Sequence, residues 1–195
     1  MLRKTAHGFL TVMALLLTAG TGAATTITFD AVHEVGPAFK LIPSPYSEAG
    51  FVFTATTGGL ETWRTLGSGW AGSAALINDT DLGIITVTKA DSGTFSLLSI
   101  DISEVFGGVG QSVSVTFTGT RPDTSTVQQT HVLDGSHGME TFVFSGFTDL
   151  ASVSWVQEAE FNQVDNVVFF IPIPEPAPGV LLGLGLLAFA GRKRR

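Results

Sequence analysis

The chain has no cysteine, a single tyrosine and only four lysines or arginines between residues 25 and 172. The first absence excludes disulfides and thiolate metal centres, so an exported domain with this sequence must be held by its core alone. The shortage of cations excludes nucleic acid and anionic membrane surfaces as partners of that stretch. Its sixteen acids against Lys40, Arg64, Lys89 and Arg121 give a net charge of −12, and phosphate recognition needs clustered positive charge. Such acidity favours solubility, neutral partners or divalent cations. Helical periodicity is missing as well: no window of this region keeps apolar residues on one helical face.

What the region does have is alternation. In Ser112 to Thr118, Val113, Val115 and Phe117 share one face and hydroxyls take the other, the period-2 pattern of a half-buried strand. Similar runs occur at Thr26–Phe29, Gly50–Phe53, Ile84–Val87, Thr94–Ile102, Thr141–Phe144, Ser152–Trp155 and Val164–Phe170. Turn signals separate them: Thr57-Gly58-Gly59, Asp91-Ser92-Gly93, Phe106-Gly107-Gly108, Arg121-Pro122-Asp123, Asp134-Gly135 and Ser145-Gly146. Short strands with a turn every ten or so residues predict an all-β domain over 25–171, an antiparallel two-sheet sandwich or jelly roll.

The two ends differ from this middle. Met1 to Lys4 is positive, Phe9 to Leu17 is apolar, and small residues lead to Ala23-Ala24, so residues 1–24 read as a secretory signal peptide. That reading implies the Sec export machinery and a signal peptidase as partners. Residues 172–178 form a linker with proline at every second position, which cannot continue a central strand. Residues 179–195 are an apolar segment closed by Arg192, Lys193, Arg194 and Arg195. As a helix, residues 178–191 extend about 21 Å against a hydrocarbon core of about 30 Å, a short span whose cationic end stays cytoplasmic.

Pro174-Glu175-Pro176, then Val180 to Ala188, then Arg192 to Arg195, resembles a PEP-CTERM sorting signal. The resemblance implies an exosortase-like processing enzyme and a protein exported across the inner membrane of a Gram-negative bacterium. It also implies a transient stay in that membrane before delivery to the cell surface or the surroundings. A plain C-terminal membrane anchor is the alternative.

The domain shows no catalytic signature. No Gly-x-Ser-x-Gly elbow is present, and His33-Glu34 lacks the second histidine of a zinc-protease helix. His131, Asp134, Ser136 and His137 crowd together, but Asp134-Gly135 reads as a hairpin turn flanked by polar edge residues. Gly67 to Ser73 reads as a flexible loop presenting Trp70. With oxygen donors in the turns and three histidines in the domain, a structural calcium is the cofactor to expect. Its candidate ligands are Asp79 and Asp81 in one turn, and Asp30 with Asp165 and Asn166 at the first and last strands.

Phe95 to Ile102, Val113 to Gly119, Thr141 to Phe144 and Gln163 to Val167, in that order, resemble galactose-binding-like jelly-roll modules. That resemblance implies a β-sandwich that contacts extracellular polysaccharide. Trp63, Trp70 and Tyr46 are the aromatic candidates for a sugar platform, and Trp155 belongs to the core. Two functions follow: a binding or structural protein of the cell surface or matrix, with no enzymatic activity, or an extracellular hydrolase of sugars or esters.

Overall fold

The computed structural model describes residues 22–105, 113–157 and 161–173. The folded unit spans Gly22–Pro172. The signal peptide up to residue 21, the turn at Phe106, and the sorting motif with its apolar segment from Pro174 onward lie outside the described residues.

Thirteen strands are present among the described residues: β1 (Ala23–Ile27), β2 (Phe39–Ile42), β3 (Tyr46–Glu48), β4 (Phe51–Ala55), β5 (Leu60–Trp63), β6 (Leu76–Asn78), β7 (Ile84–Lys89), β8 (Ser96–Glu104), β9 (Ser114–Thr120), β10 (Thr126–Val132), β11 (Glu140–Val143), β12 (Ser152–Val156) and β13 (Asn162–Ile171). A 3₁₀ turn at Asp30–Val32 is the one helical element among these residues, and no helix is long and apolar enough to cross a membrane. The strands form two antiparallel sheets. Sheet one runs β11-β8-β13-β6-β5-β2, with β1 also paired to β13, and sheet two runs β10-β9-β12-β7-β4-β3. Neighbours in each sheet are mostly distant in sequence, the connectivity of a sandwich whose chain passes repeatedly between layers. The expected all-β two-sheet sandwich is the architecture found.

The core is built from the alternating residues that face inward. Phe51 of β4 stacks on Phe169 of β13 with ring centroids 4.0 Å apart, joining the two sheets. Phe95 meets both rings edge-on at 5.4 and 5.2 Å. Val115, Phe117, Val153 and Trp155 fill the β9–β12 end. Each such side chain contributes about 1.5–3 kcal/mol on burial, which is the stabilising source a cysteine-free chain requires.

Strand β13 organises sheet one. One edge pairs with β8. On the other edge, Val164 pairs with Leu76 of β6, and Val167 to Ile171 pair with Ile27 to Ala23 of β1. The register shifts between Asp165 and Val168, where Asn166 takes φ 45°. Asparagine tolerates that left-handed geometry, so the bulge falls where the partner strand changes.

Candidate functional site

Outward-facing positions are ordinarily wet in a two-sheet sandwich, yet on sheet one several are buried. Register places Glu61 opposite Leu41 and Ile77, and Trp63 opposite Phe39, all on the outer side. Gln163, opposite Ser103, and Asp165, opposite Asp101, continue this face. The segment between β5 and β6, residues 64–75, covers part of it. Gln163 donates its amide to the Gly69 carbonyl at 2.7 Å, and the Ser73 hydroxyl donates to Asp165 Oδ2. Glycine is required where the loop meets Trp63: a Cβ at Gly67 would lie 2.7 Å from the indole Cε3, and one at Gly69 2.6 Å from Cε2. Residues 67–73 are therefore a packed cover.

Beside this cover the face opens into a cleft of about 360 Å³ lined by Phe39, Leu41, Glu61, Trp63, Ile77, Asp79 and Phe161. Phe39 is 48% exposed and Leu41 62%, so the rim is apolar and open. Phe39 meets the Trp63 ring edge-on at 5.9 Å, which fixes the orientation of the aromatic wall. Two carboxylates share the cleft. Glu61 is only 5% exposed and its Oε2 has no hydrogen-bond partner among the described residues. Burial first, and the Asp79 charge second, push its carboxyl up to about 7. Asp79 Oδ1 accepts from the Gly59 amide at 2.7 Å and from the Thr80 hydroxyl at 2.7 Å, so this second acid is held in place by its own turn. An apolar aromatic wall beside carboxylate acceptors is suited to a ligand with apolar faces and hydroxyl edges.

The residues singled out in the sequence fall in different places. Trp63 lines the cleft, but as a β5 strand residue exposed to only 9%, its ring covered by Gly67 and Gly69. Trp70 is half-buried and meets His33 edge-on at 5.2 Å. Tyr46 is in the core at 8% exposure, packed on Phe29 and Phe53, and its hydroxyl donates to Glu48 Oε2 at 2.7 Å. It presents no face to a sugar. The Glu48 carboxylate also raises the tyrosine pKa, second to burial, and accepts from the Thr28 and Phe29 amides. Phe39 and Phe161, the other aromatics of the cleft, lie in segments without clean alternation, and no sequence signal distinguished them.

The Asp30 charge reaches Asp165, which lies on β13, the strand that pairs with β1. Burial raises the Asp165 carboxyl to about 6, the Ser73 hydrogen bond opposes this, and the Asp30 and Asp101 charges add to it. Asn166 donates its amide to Asp101 Oδ2 at 2.8 Å. Asp79 is committed to Gly59 and Thr80, and Asp81 is exposed. Among the described residues, the group of three acids or histidines whose ligand atoms all lie within 4.8 Å of one another is a different one: Glu104, Asp134 and Glu140. The segment around Asp134 also departs from the hairpin expected there. β10 pairs with β9 in sheet two and β11 with β8 in sheet one, so Asp134-Gly135 belongs to a crossover between sheets. His131 is buried against Phe142 and Phe144, and burial lowers its pKa.

Fold and cleft together define a two-sheet β-sandwich with an aromatic, acid-bearing groove on one outer face. Residues 172–195 match the family model for the PEP-CTERM protein-sorting motif. The chain is thus a β-sandwich protein carrying a PEP-CTERM sorting motif, the mark of an exported protein sorted to the cell surface. No match was found among curated proteins. Among solved structures, it is similar to a family 29 carbohydrate-binding module mutant complexed with mannohexaose (9% identity, 77% of this chain and 92% of the module, TM-score 0.47). It is also similar to a family 29 module from Piromyces equi (13%, 77% and 91%, 0.43). A family 11 module from Clostridium thermocellum, in complex with a mixed-linked tetrasaccharide, aligns at 11% identity over 72% of this chain and 99% of the module, TM-score 0.35.

Proposed function

We propose that the protein is exported across the inner membrane of a Gram-negative bacterium, processed through its PEP-CTERM tail by an exosortase-like enzyme, and delivered to the cell surface or matrix. There its β-sandwich binds a neutral glycan in the cleft between Phe39, Leu41 and Phe161. The observation that carries the binding reading is the cleft itself: about 360 Å³, an exposed aromatic at its rim, and Glu61 with an unpartnered carboxylate oxygen inside it. Phe39 offers its ring to a sugar's apolar face, and Glu61 and Asp79 accept from hydroxyls. The −12 charge of residues 25–172 supports a neutral ligand over an anionic one.

A glycan array on the full-length protein in detergent tests this, followed by calorimetry on the best ligand. Phe39→Ala is expected to abolish binding at a cost in stability of about 1–1.5 kcal/mol, since Phe39 is half exposed and packs edge-on against Trp63. Absence of binding to every neutral glycan removes the reading. A raised carboxyl beside a second acid also favours a hydrolase as the other reading. Release of a chromophore from a glycoside or ester panel, lost in Glu61→Gln, would select it. The sorting step is tested by weighing the mature protein from its host: a chain that keeps residues 179–195 after export contradicts exosortase processing.

A further inference from the structure

At the end of β8, Glu104 meets two acids, Asp134 and Glu140, that lie about thirty residues further along the chain. Glu104 closes β8, Glu140 opens β11, and Asp134 lies in the crossover between β10 and β11. Glu140 pairs with Ile102, which sets the start of β11 beside the end of β8. The crossover then fastens all three carboxylates with consecutive amides. Asp134 N–H donates to Glu140 Oε1 at 3.1 Å, Gly135 N–H to Glu104 Oε1 at 2.7 Å, and Ser136 N–H to Asp134 Oδ1 at 2.7 Å. Gly135 has φ 80°, a conformation that favours glycine at the middle of the three. Each acid thus has one oxygen anchored and the other left for a ligand.

The second observation concerns Glu104. The residue is 2% exposed, and its Oε2 is shielded from solvent with no hydrogen-bond partner among the described residues. An ionised oxygen in that position is costly unless positive charge reaches it. The described residues supply none. Lys40 and Arg64 pair with Glu34, Lys89 pairs with Asp91, and Arg121 donates to the Thr148 and Gly146 carbonyls and Ser125. His137 is adjacent, yet its Nδ1 lies 3.0 Å from the Glu104 carbonyl and its Nε2 2.9 Å from the Trp70 carbonyl, so neither nitrogen is turned to the acids.

We propose that Glu104, Asp134 and Glu140 bind a single hard divalent cation, calcium, that ties the β10–β11 crossover to the end of β8. Calcium accepts oxygen ligands at about 2.3–2.6 Å, so two oxygens on one ion stand up to about 5 Å apart. The three acids, within 4.8 Å of one another, fit that spacing as they stand. An all-oxygen donor set with no available imidazole favours a hard cation over zinc. Water and loop carbonyls complete the six to eight ligands calcium takes.

The test uses the full-length protein in detergent, stripped with EDTA and titrated with calcium chloride by calorimetry and thermal unfolding. One calcium per chain is expected, with Tm rising by about 5 °C or more at saturation. Glu104→Gln preserves shape and the Gly135 hydrogen bond, and Glu140→Gln is the second variant should the first not fold. Each is expected to weaken calcium binding about tenfold or more. Asp81→Asn, in the exposed turn, is expected to bind as the parent does. An unchanged Tm in EDTA and in calcium overturns the proposal. So does calcium binding that is undiminished in Glu140→Gln or lost in Asp81→Asn.

Discussion

Glu61→Gln is expected to stabilise the protein at pH 8 and to leave it unchanged at pH 4. Glu61 sits on β5 between Leu41 and Ile77, 5% exposed, and its carboxyl titrates near 7 against an ordinary 4.5. Below pH 4.5 the group is neutral in the folded and unfolded chains and contributes nothing. Between 4.5 and 7 the unfolded chain ionises while the folded one resists, so stability falls as pH rises. Above 7 both are ionised and the folded state carries the full penalty. A rise from 4.5 to about 7 corresponds to about 3 kcal/mol. Glutamine keeps the shape and cannot ionise, so at pH 8 the variant gains up to about 3 kcal/mol, or about 6–10 °C in Tm for a domain of this size. Urea unfolding followed by tryptophan fluorescence at pH 4, 6 and 8 measures the gain directly. Asp165, raised to about 6, gives both proteins a pH slope of the same sign, and the difference between them isolates Glu61. Equal stability differences at pH 4 and pH 8, or a loss at pH 8, would refute the assignment of Glu61 as a buried, uncompensated acid.

Other substitutions probe the cover and the core. Gly69→Ala pushes a methyl to 2.6 Å from Trp63 Cε2, so the 64–75 segment must lift; a loss of about 1–3 kcal/mol and a red-shifted tryptophan emission are expected, and unchanged emission would place the loop elsewhere. Glu48→Ala strands the Thr28 and Phe29 amides and the Tyr46 hydroxyl, costing about 2–4 kcal/mol by urea unfolding, whereas Tyr46→Phe loses one bond and about 1 kcal/mol. Ser73→Ala removes the hydroxyl that opposes the upward shift of Asp165. Its cost should therefore be larger at pH 8, where the carboxylate is charged, than at pH 4, and a pH-independent cost would count against that hydrogen bond.

Strands were legible where one face is wet. β7, β9 and β12 alternate buried and partly exposed residues, and their hydroxyl–apolar alternation stands out in the sequence. β5, Leu60-Glu61-Thr62-Trp63, is buried at every position because its outward Trp63 lies under Gly67 and Gly69 and its outward Glu61 lies between Leu41 and Ile77, so the period-2 signal is erased. Short β6 is buried throughout as well, so it shows no alternation either. β10 failed differently. One face of this edge strand is exposed, and the other is only partly buried at Val127 and Gln129 and fully so at His131, a polar residue, so no apolar alternation shows. The linear sorting motif needed no fold to be read, since its recognition depends on order along the chain alone.

The same distinction governs the sites. The first and last strands could be placed side by side from sequence because the rule that joins them is topological, and β1 does pair with β13. Glu104, Asp134 and Glu140 obey no such rule. Their meeting depends on β10 and β11 lying in different sheets, which turned an expected Asp-Gly hairpin into a crossover reaching the end of β8. The strong hairpin dipeptide specified a tight turn locally, but the glycine's positive φ serves equally to aim three consecutive amides at three carboxylates. A local signal thus fixed the bend and left its partner strands open. The acid cluster is a consequence of which sheets the bend connects, so it becomes visible only once both sheets are assembled.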